Sequence, residues 1–389
     1  MSAVGIHAMG LNCSLGNGLS EVWQNILAAN QSVLSYDTRM LFGQPTYLGR
    51  ADVPDVELTP EFNYRVNHLL VSVFQQIESD YQQIIQSVPA HRIGVVLGTS
   101  TAGVDGFEQT LRSYQENQQW PSDYVVHQQR MGSVSEFLAD YLDLAGPRLS
   151  ISTACSSGTK ALLAAKRWLQ QDICDVVIAG GVDVLCQLTV NGFHALGALS
   201  DKPCIPFSVN RQGINIGEGA ALMVLTKERS DLNILGGGET SDAHHISAPD
   251  PSGQGAIRAM QAALKDAGLD SNDIDYINLH GTGTAQNDAM ESLAVHQLFG
   301  AHTACSSSKA LTGHTLGAAG AIEAVLSALS MTKINQQNIY LPHVFDELYD
   351  DALKPILLVK PGHEMTRPKT ILSNSFAFGG SNAAIILGQ

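Results

Sequence analysis

Short aliphatic and β-branched runs alternate with helical patterns along the whole chain. Runs at 93–97, 149–152, 175–179, 220–225, 274–279, 356–358, 370–372 and 383–387 predict strands. Apolar positions three and four apart predict helices over 66–87, 156–171, 255–267, 290–299 and 318–331. Such alternation belongs to α/β layers. No linker or low-complexity tract interrupts the 389 residues, which suffice for two domains or for one of doubled architecture.

Two helix starts resemble each other. A Ser/Thr-rich turn carrying Cys155 opens the helix through Lys160, and the turn Thr312–Gly317, carrying His314, opens the helix from Ala318. The repetition predicts two related halves, 1–230 and 231–389, that change over near Ser230. Equivalent turns would bring Cys155 and His314 together about a pseudo-twofold axis.

Cys155 lies between an apolar strand and a helix. Unsatisfied N–H groups and a partial positive charge at a helix N-terminus favour a thiolate. A cysteine alone in such a place is an ordinary small buried hydrophobe, so its partners decide the reading. His280 ends a strand and enters the Gly/Thr loop 281–284, which reads as unpacked chain facing a cleft. His314 precedes a helix, which disfavours an imidazolium and leaves a ring able to donate Nε2–H to an oxyanion. Lys309, among small polar residues ahead of His314, suits an electrostatic role. The turn 373–382 carries Phe376 and Phe378 before Gly379 and Gly380; its N–H groups suit an oxyanion hole, and its glycines suit a mobile gate.

Composition narrows the classes. A net charge of −15 excludes broad nucleic-acid binding. The six cysteines form no C-x-x-C pair, which fits a reduced compartment and points away from zinc or a disulfide framework. Among thirteen histidines there is no H-E-x-x-H motif, and adjacent His244 and His245 would face opposite ways on a strand, so no metal is expected. Residues 1–16 lack a signal-peptide pattern and no apolar run is long enough for a membrane span. The expected location is the cytoplasm. Phosphate-binding glycine motifs after a strand are also lacking, which sets aside a nucleotide-binding α/β protein.

Taken in order, Thr153–Gly158, His280–Thr284, Lys309 with His314 and Asn374–Gly380 carry a family resemblance. Support comes from Pro206–Phe207, Gly217–Ala220 and Ser241–Pro249. The chain resembles the elongating β-ketoacyl-acyl-carrier-protein synthases, condensing enzymes of the thiolase fold. The resemblance implies two pseudo-symmetric βαβαβαββ halves in an α-β-α-β-α layered core. It makes Cys155 the nucleophile that takes the acyl chain from the carrier protein. His280 and His314 would promote decarboxylation of the malonyl thioester and hold the enolate. The N–H groups of Cys155 and Phe378 would form the oxyanion hole, with Lys309 and Glu291 as a charged pair supporting the histidines. Thr282 and Thr284 would contact the pantetheine arm, and Phe376 and Phe207 would line the substrate site. No cofactor is implied, since the phosphopantetheine belongs to the acyl-carrier protein.

Relatives with other chemistry are distinguished by residue type. Degradative thiolases use a second cysteine where this chain has the phenylalanine turn, and initiating synthases have asparagine where His314 stands. The alternative reading is a non-condensing partner subunit that shapes chain length; intact Cys155, His280 and His314 oppose it. Ala377 replaces the usual glycine between the phenylalanines, restricting positive φ. Ser208, Gln212 and Ile214 replace two acidic positions and an aromatic one. With 186–193 and 213–217, these changes make the chain similar to aryl-polyene-type ketosynthases, which pair with a chain-length partner; a homodimer is the other expectation. Arg65, Arg130, Lys202 and Arg211 are the expected docking cations for an acidic carrier protein.

Overall fold

The computed structural model describes residues 3–122, 124–362 and 367–389. The first half contributes strands β1 (Val4–Cys13), β2 (Ile93–Gly98), β3 (Arg148–Ile151), β4 (Val176–Asp183) and β5 (Gly219–Thr226). The second contributes β6 (Asn233–Ser241), β7 (Tyr276–Asn278), β8 (Ala304–Ser306), β9 (Thr370–Ala377) and β10 (Ser381–Gly388). Helices α1 (Arg65–Ile84), α2 (Ser133–Tyr141) and α3 (Ser157–Gln170) connect the first set; α4 (Gln254–Ala267), α5 (Ala285–Phe299) and α6 (Ala319–Met331) connect the second.

The principal strand order is β3-β2-β4-β5-β1 in one half and β8-β7-β9-β10-β6 in the other, where the expected strand at Leu357–Leu358 adds a short parallel pairing outside β8. In each, the three strands at one end are parallel and the next two antiparallel. Adding five to each label converts one order into the other, so the fold is a duplicated βαβαβαββ unit. A short antiparallel pairing of Val4 and Gly5 with Ile234 and Asn233 joins the two sheets edge to edge.

Three buried clusters define the layers. Residues of α3 and α6, such as Leu162, Ala165, Ile322 and Val325, form the central core between the sheets. Outside the first sheet lie α1 and α2, through Leu70, Phe74 and Phe137. Outside the second lie α4 and α5, through Met260 and Val295. That is the α-β-α-β-α order expected. Strands buried on both faces read as continuous apolar runs, which is why β2, β4 and β5 were visible in the sequence.

β1 and β6 were not expected. β6 carries Gly236–Gly238, which weaken a strand signal; here they let α4 lie against the strand, since a Cβ at Gly238 would sit 2.0 Å from the Ala259 carbonyl. β9 runs to Ala377, five residues beyond the expected end, because Ser373–Ala377 pair with β10 rather than forming a loop. Helices at Val104–Asn117, Ser133–Tyr141 and Gln187–Ala195 also went unread. The six cysteines are all free and buried. Among the described residues, no helix is long and apolar enough to cross a membrane.

Candidate active site

Cys155 stands on a tight turn between β3 and α3. Its predecessor Ala154 has φ 50°, a left-handed conformation that costs an alanine about 1–2 kcal/mol. Serine hydroxyls hold that turn: Ser157 Oγ donates to the Ala154 carbonyl at 2.6 Å and accepts from Thr153 N–H at 2.9 Å. The equivalent turn of the second half carries His314, whose Nε2 lies 3.0 Å from the Cys155 sulfur. His280, two residues past the end of β7, completes the group. Its ring is nearly perpendicular to that of His314, with centroids 5.3 Å apart. Ligand-type atoms of Cys155, His280 and His314 all fall within 4.8 Å of one another.

Both imidazoles are held neutral. Burial, then the charge of Lys309, lowers His314 well below the usual histidine range; His280 is lowered by the same causes and by His314. The expectation of neutrality holds, but its cause is burial rather than the helix start. For Cys155 burial also dominates, pushing the thiol up to about 12 despite Lys309 and two backbone N–H groups. The thiolate expected from the helix N-terminus is therefore corrected to a resting thiol. Desolvation of a fully buried charge outweighs a terminal dipole worth at most about 2 kcal/mol.

Lys309 Nζ lies 3.4 Å from His280 Nδ1. An ammonium donates there, so Nδ1 accepts and Nε2 carries the proton toward the cavity. His280 is thus a donor rather than a metal ligand. The expected Lys309–Glu291 pair is not formed. Lys309 ion-pairs instead with Glu323 of α6, both fully enclosed. Glu291 accepts the N–H groups of His280 and Gly281, each at 2.7 Å, and the Asn374 amide at 3.3 Å. It shapes the loop that carries His280, and burial raises its carboxyl to about 7. That loop is packed, not open as expected: Gly281, Thr282 and Gly283 are buried. Glu323 was missed, although a lone glutamate in an otherwise apolar helix is a legible signal for a buried partner.

The N–H groups of Phe378 and Cys155 both face the sulfur, so two donors converge where an oxyanion would form. Gly379 and Gly380 adopt φ 78° and 74°, and Gly379 N–H bonds the Ile246 carbonyl at 2.7 Å. Ala377 is extended at φ −114°, so its Cβ causes no strain in this arrangement. Phe376 meets His280 edge-on at 6.1 Å, and Phe378 lies against Phe193, another residue not expected here, at 5.3 Å.

A cavity of about 460 Å³ opens onto the sulfur, lined by Phe193, Ile214, Thr282, Thr284, Phe376 and Phe378 among others. Thr282 and Thr284 hydroxyls share a 2.9 Å hydrogen bond on its wall. Phe207 is corrected: it is fully buried behind the site, packed on His343, with its N–H bonded to Asp288 at 2.8 Å. Of the docking cations, Arg211 is also corrected. It is enclosed, bonded to Asp350 at 2.7 Å and 3.7 Å from Asp288. Arg65 pairs with Glu218 and Arg130 with Glu136, whereas Lys202 is exposed.

Comparisons with known proteins agree with this geometry. The family model for the beta-ketoacyl synthase N-terminal domain matches residues 65–231, and that for the C-terminal domain matches 233–337. The 3-oxoacyl-[acyl-carrier-protein] synthase 2 of Coxiella burnetii is 31% identical over 99% of this chain and 98% of that protein. Its Staphylococcus aureus counterpart is 30% identical over 98% and 99%. A chain of the ketosynthase (ApeO) in complex with its chain length factor (ApeC) from Xenorhabdus doucetiae superposes with TM-score 0.93, at 39% identity, covering 100% and 98%. The chain belongs to the beta-ketoacyl synthase family. It is an acyltransferase of the 3-oxoacyl-acyl-carrier-protein synthase type, with a Cys-His-His site.

Proposed function

We propose that this enzyme elongates a carrier-bound acyl chain by decarboxylative condensation, with Cys155 as the acyl-bearing nucleophile. The observation that carries the reading is the convergence of Cys155, His280 and His314 within 4.8 Å at the floor of one cavity. Cys155, its sulfur hydrogen-bonded by His314 Nε2–H, attacks the acyl thioester, and its thiol proton passes to the departing carrier sulfur. The N–H groups of Cys155 and Phe378 bind the oxyanion, and the carrier thiol leaves with the proton. In the second half-reaction the malonyl thioester oxygen accepts hydrogen bonds from His280 and His314. Loss of carbon dioxide leaves an enolate whose carbon attacks acyl-Cys155, releasing β-ketoacyl carrier and a cysteine thiolate that takes up one proton from solvent to restore the resting thiol. Neutral donors suit this step, since they stabilise charge that appears only as the C–C bond breaks. The phosphopantetheine arm arrives on the carrier, and the residues require no further cofactor.

The partners are an acyl-carrier protein and a ketosynthase-like chain length subunit. The 39% identity to a chain of a ketosynthase–chain length factor complex, spanning the whole chain, supports the second. So does β3, which stands at the end of the sheet with Leu149 38% exposed. The fully enclosed Cys-His-His group opposes a non-condensing role. On this reading the pathway is of the aryl-polyene type, with conjugated acyl groups carried on Cys155. Mass spectrometry of the Cys155 adduct during turnover, with malonyl carrier protein and a panel of primers, tests it. Conjugated or aryl chains are the expected adducts; saturated chains only would move the enzyme to fatty-acid synthesis.

A further inference from the structure

Asp183, the last residue of β4, is fully buried and surrounded by neutral donors from two directions. Its Oδ1 accepts from Thr99 Oγ at 2.7 Å and from Ser100 N–H, Thr101 N–H and Thr101 Oγ at 2.8 Å each. Its Oδ2 accepts from Ser100 Oγ at 2.6 Å and from Gly317 N–H at 2.5 Å. The first five donors follow β2 in the first half of the chain. Gly317 belongs to the second half, in the turn Leu316–Ala318 that opens α6, three residues beyond His314.

His314 has few other means of orientation. Among the described residues its buried Nδ1 has no partner, so no hydrogen bond from them at that atom sets the ring. The backbone must do so. On one side His314 N–H bonds the Asn215 carbonyl at 2.6 Å and its carbonyl accepts from Gly217 N–H at 2.9 Å. On the other side Leu316 holds a left-handed φ of 52°, a conformation a leucine keeps only when the chain around it is tied down. The bond from Gly317 to Asp183 is that tie, reinforced by Ser100 Oγ, which lies 3.2 Å from the same N–H.

We propose that Asp183 is a positioning residue for condensation: its carboxylate clamps the 316–318 turn to the first half and so keeps His314 Nε2 at hydrogen-bond distance from Cys155. The inference rests on the roles proposed above for those two residues. Only a carboxylate satisfies the arrangement. Backbone N–H groups of Ser100 and Thr101 face Oδ1, and that of Gly317 faces Oδ2; none can reverse its polarity. An asparagine, in either flip, sets its NH2 group against at least one of them, and the turn must move.

The test is Asp183→Asn beside Ser100→Ala, which removes only the half-buried hydroxyl shared by Asp183 and Gly317. Rates are normalised to Cys155 titrated by acylation. For Asp183→Asn, kcat is expected to fall by about 10- to 100-fold, the loss typical of a misplacement near 1 Å, with KM for malonyl carrier protein changed less than about twofold. Ser100→Ala loses less, in the same direction. In nitrogen-15 histidine spectra the His314 side-chain signal shifts in both variants, while that of buried His343 stays. Unchanged kcat with an unmoved His314 signal in Ser100→Ala overturns the clamp even if Asp183→Asn fails to fold. Absence of acyl-Cys155 in the unmutated enzyme would instead overturn the functional reading, and the histidine spectra judge the clamp separately from it.

Discussion

His314 Nε2 stands 3.0 Å from the Cys155 sulfur, although 159 positions separate the two residues. The contact joins a thiol to a neutral imidazole, because burial opposes charge on both. Proton transfer then accompanies attack rather than preceding it.

Alkylation measures that state directly. With a thiol near 12 the thiolate fraction grows tenfold per pH unit throughout the neutral and mildly alkaline range. Iodoacetamide modification of Cys155 is expected to rise about tenfold per unit from about pH 7 to about pH 9, without a plateau. A plateau near pH 8 would mean a stabilised thiolate.

The histidines give the opposite limb. A histidine whose pKa is lowered takes up its proton only at a pH below the usual 6.5, so it stays neutral as pH falls through that value. Malonyl decarboxylation should keep its rate through pH 6.5 and decline only further into acid. A half-loss centred on 6.5 would contradict the enclosed, Lys309-facing geometry.

Glu323→Gln leaves the Lys309 charge enclosed without its partner, which typically costs about 3–5 kcal/mol. Denaturant unfolding should show that loss, and decarboxylation should fall with it because Lys309 no longer holds His280. Replacing both members by apolar residues of similar volume should recover most of the stability and none of the decarboxylation. Recovery of both would remove Lys309 from the chemistry.

Arg211→Glu is expected to destabilise the protein, since it sets a third carboxylate beside Asp288 and Asp350. Activity should drop equally with carrier-linked and small thioester substrates. Lys202→Glu should instead raise KM for the carrier-linked substrate alone. Kinetics with both substrate forms separate enclosed from docking cations; a selective loss in Arg211→Glu would restore it as a docking residue.

The sequence alone determined much of the layer pattern. Strands buried on both faces and helices with apolar stripes are local consequences of period and composition, so β2, β4, α3 and α6 were legible. Cys155, His280, His314 and the phenylalanine turn were legible as well, because their motifs follow one another in the order the family resemblance requires, although each alone also reads as ordinary buried chain. Tertiary structure decided the rest. β6 was not expected because its three glycines carry no strand signal, and only the helix lying on them explains their presence. Lys309 found Glu323 rather than Glu291, and Arg211 turned inward to two carboxylates, because partners are set by which elements pack together. The charge state of Cys155 was decided the same way: a helix start favours a thiolate locally, but desolvation depends on everything packed around the sulfur, and here it is the larger effect.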